Sequence, residues 1–166
     1  TTLADLTDIR AAWRRSGRLL SVMLDKRFYP TTLALRKLIS AGELGVPVLA
    51  WTSGPHRLNR PTRPDWMFRH ESYGGILNDL AIHDVDLLLW LSGAQSGQVQ
   101  GLTGNLGHGD VPEFEDYGQL LLRTDDGMIA STEVHWFSPE AAPYHGNYQM
   151  VLTGTKGTAE LNWAQD

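Results

Sequence analysis

Cysteine is absent from the 166-residue sequence. Its absence excludes disulfide bonds, thiolate metal sites and cysteine nucleophiles, and it favours a cytoplasmic location. An excess of basic residues is also missing, because 14 Lys and Arg stand against 19 Asp and Glu, for a formal net charge of −5. A chain of this charge offers no broad basic surface to phosphates, so we expect no nucleic acid partner.

Long apolar runs are missing as well. No run approaches the roughly 20 residues of a membrane span, and residues 1–15 lack the basic start and apolar centre of a signal peptide. We therefore expect no membrane partner. The chain opens at Thr1 without a methionine, and we expect it to be an inner part of a longer protein. The sequence does contain an apolar share of 42%, with six Trp, five Tyr and four Phe, which suits the core of one domain.

The first part of the chain predicts two helices and two strands. A helix capped by Thr2 and ended by Gly17 is indicated by apolar residues at three- and four-residue steps, namely Leu3, Leu6, Ile9 and Trp13. The largely apolar run Leu19–Leu24 is typical of a strand buried on both faces. Pro30 fits the first turn of the second helix, which ends near Gly42, and a strand over 46–52 follows. The residues expected to face inward on the second helix are Leu33, Leu35, Leu38 and Ile39.

A long loop between Gly54 and Gly75 is rich in proline and arginine. Its arginines are Arg57, Arg60, Arg63 and Arg69. They could hold a carboxylate or phosphate of a substrate or cofactor, or they could face solvent. Trp66 is costly to leave exposed, so we expect it to pack against a substrate cleft or to pin the loop.

The strongest helix pattern covers 76–91 and ends at Ser92-Gly93. Five strands separated by Gly, Pro and Asp turns are then predicted, over 99–106, 117–123, 128–137, 148–153 and 158–163. Helices followed by strands predict an α+β fold, in which helices pack on one face of a mostly antiparallel or mixed open sheet.

The 76–91 helix carries polar residues on one stripe of an otherwise apolar surface. At about 100° per residue, Asp79, His83, Asp86 and Trp90 share that stripe. A helix that is apolar nearly all round is buried, so these groups need partners. Asp79 and His83 could satisfy each other, Asp79 could orient His83 toward a substrate hydroxyl, or both could bind a metal together with Asp86.

These residues resemble a known motif. The stretch from Gly74 to Asp86, with Trp90-Leu91-Ser92-Gly93, resembles the GGGxxxDxxxHxxD...WL.G motif of the glucose-fructose oxidoreductase, inositol dehydrogenase and rhizopine-catabolism (Gfo/Idh/MocA) family. The flanking segments Lys26-Arg27-Phe28-Tyr29-Pro30, Leu38 to Gly45 and Gly154-Thr155-Lys156-Gly157-Thr158 are also similar to family motifs. The last of these is a turn rather than a phosphate-binding loop, because its order does not fit G-x-x-x-x-G-K-[ST].

The resemblance implies a dinucleotide-dependent oxidoreductase with an N-terminal Rossmann domain and a C-terminal substrate domain. By this comparison, residues 1–24 are the last helix and strand of the dinucleotide-binding domain. Residues 25–166 are then the substrate-binding and oligomerisation domain, with its C-terminal end missing. The G-x-G-x-x-G fingerprint and the family's Glu-Lys-Pro segment are absent from this sequence. Tyr73 stands where the family often has the first of three glycines, and Ala81 replaces a glycine before His83.

Site residues follow from the same comparison. His83 and Asp79 are expected to be catalytic, with His83 bonding or relaying the proton of the reacting oxygen and Asp79 orienting it. Arg27 resembles an arginine that contacts both nicotinamide and substrate. Tyr144 and His145 lie where some members place a substrate-contacting tyrosine, although they could be ordinary loop residues.

The predicted activity is hydride transfer between NAD or NADP and a sugar, inositol or related polyol. The dinucleotide would be bound mainly by the other domain, and a homodimer or homotetramer would form through the open sheet face. A non-catalytic ligand-binding or scaffold domain of the same fold is the alternative.

Overall fold

The structure, a computed structural model, describes residues 2–165, with 164 and 165 described by their backbone alone. Helices α1 (Leu3–Ser16) and α2 (Pro30–Ser40) come first, with a 3-10 turn between them at Asp25–Phe28. The long loop that follows the first strand contains two 3-10 turns (Arg60–Thr62 and Asp65–Phe68) and the single-turn helix α3 (His70–Tyr73). A π-helical turn (Leu77–Ala81) leads directly into α4 (Ile82–Ser92). The strands are β1 (Pro47–Pro55), β2 (Gly97–Gly104), β3 (Tyr117–Thr124), β4 (Ile129–His135), β5 (Gly146–Gly154) and β6 (Thr158–Gln165).

The six strands form one open mixed sheet in the order β2-β3-β4-β1-β5-β6. Strand β1 runs parallel to β4 and antiparallel to β5, and the remaining pairs are antiparallel. The predicted α+β class is confirmed, and each predicted strand after the 76–91 helix is present. The strands are not a simple meander, because β1 lies between β4 and β5.

Helix α4 and the π-helical turn lie on one face of this sheet. Leu87, Leu88 and Leu91 are fully buried and belong to the same core cluster as Met150 and Leu152 of β5. A second cluster gathers around Ile76, Phe114 and Trp136. Side chains alternate along a strand, so the opposite face of the sheet carries the odd-numbered residues of β1 and β3, including Leu49, Trp51 and Leu121, and these are exposed.

One expectation for the first 24 residues is wrong. Leu19–Leu24 forms no strand, and Leu19, Leu20, Val22 and Met23 are exposed. A strand needs partners for its backbone hydrogen bonds, and none of the six described strands pairs with this segment. The capping box of Thr2 and Asp5 begins α1 and Gly17 ends it as predicted, yet none of its residues is buried.

Helix α2 begins at Pro30 as predicted, but only part of its apolar set faces inward. Leu35 is 2% exposed and Ile39 packs against the core, whereas Leu33 and Leu38 are 41% and 45% exposed. Only the side of α2 that carries Leu35 and Ile39 contacts the core, so the other apolar residues of the helix remain exposed.

The hairpin between β5 and β6 confirms the turn predicted at Gly154–Thr158. The Gly154 amide donates to the Gly157 carbonyl, and the Lys156 amide donates to the Leu44 carbonyl. A Cβ on Gly154 would lie 2.0 Å from the Leu44 oxygen, so only glycine fits this close approach of two backbones. Within residues 2–165, no helix combines the length and apolar content needed to cross a membrane.

Candidate functional site

A cleft of about 740 Å³ opens between the 3-10 turn after α1, the start of α2 and the first turn of α4. This volume is in the range of small-molecule sites. Basic, acidic and aromatic groups converge on it. The lining residues are Met23, Asp25, Lys26, Tyr29, Pro30, Thr31, His56, Leu80, His83, His145 and Trp163.

His83 lies in the first turn of α4 and lines the cleft as the sequence predicts. Its side chain is half-buried, and Nδ1 is fully buried without a hydrogen-bond partner among residues 2–165. A buried polar atom of this kind costs free energy until something pairs with it. The other ring nitrogen, Nε2, also makes no hydrogen bond within the described residues but is not enclosed, so it is the atom that can gain a hydrogen bond from a molecule bound in the cleft.

Asp79 lies on the π-helical turn that precedes His83. The hydroxyl of Tyr73 donates to Asp79 Oδ2 at 3.0 Å, and Trp136 Nε1 donates to the Tyr73 oxygen at 3.1 Å. The residue keeps an exposed surface, although protein atoms crowd its carboxylate. This crowding raises the pKa of Asp79, against the opposing effects of the Tyr73 hydrogen bond and of the Arg63 and His83 charges.

The prediction of a regular helix across Asp79 and His83 is wrong for its first part. The Ile82 amide donates to the Leu77 carbonyl, five residues earlier, as in a π-helix. The spacing of 100° per residue does not hold across such a turn. Asp79 and His83 form no hydrogen bond with each other in the described part of the chain, so mutual pairing does not satisfy them.

Asp86 pairs with Arg27 and not with Asp79 or His83. Both carboxylate oxygens accept from the Arg27 guanidinium, one of them from Nε at 2.6 Å. These hydrogen bonds raise the pKa of Arg27. Asp86 therefore does not join Asp79 and His83, and within residues 2–165 no three His, Asp or Glu side chains are grouped as metal ligands.

Arg27 itself lies outside the lining of the cleft. It is placed on the 3-10 turn at Asp25–Phe28 instead of at a strand end, and it is half-buried. Its Nη1 makes no hydrogen bond with the described residues, so the guanidinium keeps one donor group. The neighbouring Lys26 occupies the cleft wall in its place.

Lys26 and Asp84 form a buried ion pair that the sequence analysis missed. Lys26 Nζ lies 2.7 Å from Asp84 Oδ1 and 3.8 Å from the centre of the Tyr148 ring. Burial lowers the pKa of Lys26 and raises that of Asp84, and the charge of each group opposes the shift of the other. A charged residue among the leucines of a buried helix was the available signal, since such a residue needs a buried cation.

The other predicted residues are only partly brought together. His145 lines the cleft beside His56, with ring centres 5.4 Å apart. Burial, and then the positive charges of Arg63 and Arg57, lower the pKa of His145 and favour its neutral form. Tyr144 is half-buried and does not line the cleft.

Within residues 2–165, Trp66 neither packs against the cleft nor is buried in the loop. Trp66 is 53% exposed and is not among the residues that line the cleft. A side-chain contact secures the loop at this point instead, because the Ser72 hydroxyl donates to the Trp66 carbonyl at 2.7 Å.

Three arginines of this loop, Arg60, Arg63 and Arg69, line one pocket, but their hydrogen bonds go to different partners. Arg60 pairs with Asp110 at 2.5 Å, whereas the Arg57 and Arg63 guanidinium groups each donate to a carbonyl. Arg63 also lies over the Trp136 ring at 4.9 Å.

Comparisons with known proteins agree with this architecture. A family model described as the GFO/IDH/MocA C-terminal domain matches residues 32–160. The chain is 28% identical over 153 residues to a scyllo-inositol 2-dehydrogenase (NAD(+)) of Bacillus subtilis (strain 168), covering 87% of this chain and 40% of that protein. The chain spans less than half the length of the curated relatives it matches.

Solved structures share the fold. An oxidoreductase structure from Erwinia carotovora atroseptica SCRI1043 superimposes with a TM-score of 0.89 at 32% identity, covering 97% of this chain and 49% of that one. The WlbA dehydrogenase of Bordetella pertussis, solved with NADH and UDP-GlcNAcA, gives a TM-score of 0.78 at 25% identity, covering 95% of this chain and 46% of that one. Since the family model matches most of the chain, the protein belongs to the Gfo/Idh/MocA family and carries its C-terminal domain.

Proposed function

We propose that this chain is the substrate-binding half of an NAD(P)-dependent oxidoreductase that acts on a sugar, inositol or related polyol. The observation that carries the proposal is the half-buried His83 imidazole, which has no hydrogen-bond partner in the described chain and lines a cleft of about 740 Å³. Relatives named as inositol and sugar dehydrogenases support this class of substrate.

The lining of the cleft suits a polyol. Donors and acceptors from Asp25, Lys26 and His145 surround it, and Tyr29 and Trp163 add aromatic surface with their rings 5.7 Å apart. Hydroxyl groups need several hydrogen bonds, while the apolar face of a sugar ring packs on aromatic side chains. The neutral form favoured at His145 allows it to donate to one hydroxyl or accept from another.

His83 would hydrogen-bond the reacting oxygen and hold or pass on its proton. Asp79, on the preceding turn, would stabilise the positive charge that His83 gains when it takes a proton. The bound nicotinamide would supply or accept the hydride. Arg27, with Nη1 still available, would contact the nicotinamide end of the cofactor or the substrate, as the resemblance implies.

The division into domains is part of the same proposal. Residues 1–24 would end the dinucleotide-binding domain, and 25–166 would form the substrate domain. The exposed apolar side chains of the first segment support this division, because a patch of that kind usually packs against other protein surface. The open face of the sheet would mediate homo-oligomer formation, and the lack of cysteine fits a cytoplasmic protein.

The test is dinucleotide binding and polyol-dependent reduction by the complete protein that contains this chain. His83→Ala should lower kcat by about 10²- to 10⁴-fold, the usual contribution of a general acid or base. His70→Ala is the matched control, because His70 is exposed on α3 and away from the cleft.

Unchanged kcat and KM in His83→Ala would contradict the catalytic assignment. A complete protein that binds a polyol but no dinucleotide would instead support the alternative of a ligand-binding domain of the same fold.

A further inference from the structure

Tyr73 is a buried residue whose hydroxyl donates a hydrogen bond to Asp79. It ends α3 and is 8% exposed, and Gly74 beyond it has a φ of 74° that turns the chain into the π-helical segment. This turn carries the chain back so that the Tyr73 hydroxyl meets a carboxylate six residues later.

The direction of the hydrogen bonds is fixed by chemistry. An indole N–H can only donate, so Trp136 Nε1 must donate to the Tyr73 oxygen. The hydroxyl proton of Tyr73 is then left for Asp79 Oδ2. Burial raises the pKa of Tyr73 far above its ordinary value, so the hydroxyl keeps this proton. Asp79 Oδ2 is therefore held as an acceptor.

Trp136 is well placed to anchor this chain of hydrogen bonds. It is 4% exposed, and its amide donates to the Asp116 carbonyl at 2.9 Å. Its ring is enclosed by His56 at 5.7 Å and by the Arg63 guanidinium at 4.9 Å. The donor that orients Tyr73 is thus fixed to the sheet, immediately after β4.

We propose that Tyr73, oriented by Trp136, is a positioning residue that holds the Asp79 carboxylate in place for its action on His83. This inference rests on the proposed function, in which Asp79 and His83 are catalytic. Oδ2 is engaged by Tyr73, and Oδ1 makes no hydrogen bond within the described residues. Oδ1 is thereby left for His83 or for a substrate hydroxyl.

The first test is Tyr73→Phe in the complete enzyme, with kcat and KM measured across pH. The change keeps the ring and removes only the donor to Asp79. We expect kcat/KM to fall about tenfold or more, since a hydrogen bond to a charged group is lost, with most of the loss in kcat. The acidic limb of the pH profile should move to higher pH, because the Tyr73 hydrogen bond lowers the pKa of Asp79.

Tyr117→Phe is the matched control. Within the described residues, the Tyr117 hydroxyl donates to Gln119 alone, on the exposed face of the sheet, so its loss should leave the pH profile unchanged. If Tyr73→Phe keeps both kcat and the acidic limb while Asp79→Asn loses activity, the positioning role is wrong and the proposed function stands. If Asp79→Asn and His83→Ala both stay fully active, the proposed function itself fails.

A fluorinated tyrosine placed at position 73 covers the case in which Tyr73→Phe does not fold. It retains both hydrogen bonds but makes the phenol a stronger donor. The acidic limb should then move to lower pH, opposite to the change expected for Tyr73→Phe. An acidic limb that does not move with this more acidic phenol would overturn the proposal.

Discussion

The ammonium of Lys26 lies 2.7 Å from the Asp84 carboxylate, and the two side chains are only 7% and 0% exposed. They are separated by 58 residues in the sequence, and their pairing joins the 3-10 turn after α1 to the first turn of α4. Because Lys26 lines the cleft, this buried pair fixes one wall of the site to the helix that carries His83.

Loss of Asp84 should destabilise the protein strongly. Asp84→Asn removes the charge that compensates buried Lys26, and we expect the free energy of unfolding to fall by about 3 to 5 kcal/mol in urea titrations. Without Asp84, the pKa of Lys26 should fall further below its value in the unfolded chain. The unfolded state then binds more protons, so the deficit should shrink as the pH is raised.

Asp25→Asn is the matched control for this prediction, because Asp25 lines the same cleft but is exposed. Among the described residues its side chain accepts one hydrogen bond, from the Tyr29 hydroxyl, and its charge acts on Lys26 less than that of Asp84 does. It should change stability by less than about 1 kcal/mol. Replacing the pair together, as Lys26→Met with Asp84→Leu, should cost less than Asp84→Asn alone. Equal stability of Asp84→Asn and the wild type would show that the pair is not needed.

Because of Asp116, the free energy of unfolding should decrease as the pH falls in the acid range. Burial opposes its ionisation, yet the amides of Leu106 and Gly107 and the His108 ring lower the pKa of Asp116. A lowered pKa in the folded state gives stability that is present above the unfolded value, about 3.9. That stability is lost as the pH falls through the folded pKa.

Asp116→Asn should therefore cost about 2 to 3 kcal/mol near neutral pH, from weakened hydrogen bonds to a charged group. The difference from the wild type should narrow as the pH falls below about 4. Urea unfolding at several pH values measures this. Asp110→Asn, in an exposed pair with Arg60, should show no comparable change, and a cost of Asp116→Asn that is constant with pH would refute the assignment.

Local signals in the sequence predicted most of the elements. These signals are glycine after α4, proline at the start of α2 and alternating apolar residues in the strands. Each acts on residues close to it in the chain, so the sequence alone reveals it. The position of β1 between β4 and β5 is different, because the register of Thr52 against Thr132 and Met150 joins residues far apart in sequence. Strand pairing over such distances leaves no local pattern.

In the candidate site, too, contacts between residues far apart in sequence could not be predicted. His83 and Asp79 were predicted because their spacing and the family motif are local. Tyr73 reaches Trp136 across 63 residues, and Lys26 reaches Asp84 across 58. Leu19–Leu24 had the composition of a buried strand, yet composition indicates what a segment can bury and does not reveal whether a partner strand lies beside it.

The open face of the sheet should mediate association. Leu49, Trp51, Leu121 and Ile129 meet there, from three adjacent strands, and are 40–53% exposed. Leu121→Lys should place a charge in the centre of this surface and shift the protein to a monomer in sedimentation velocity experiments. Leu38→Lys is the matched control on α2, where a leucine of similar exposure (45%) lies on the helical side. A wild-type protein that sediments as a monomer at every concentration would contradict the prediction, because an apolar surface that associates must do so more as concentration rises.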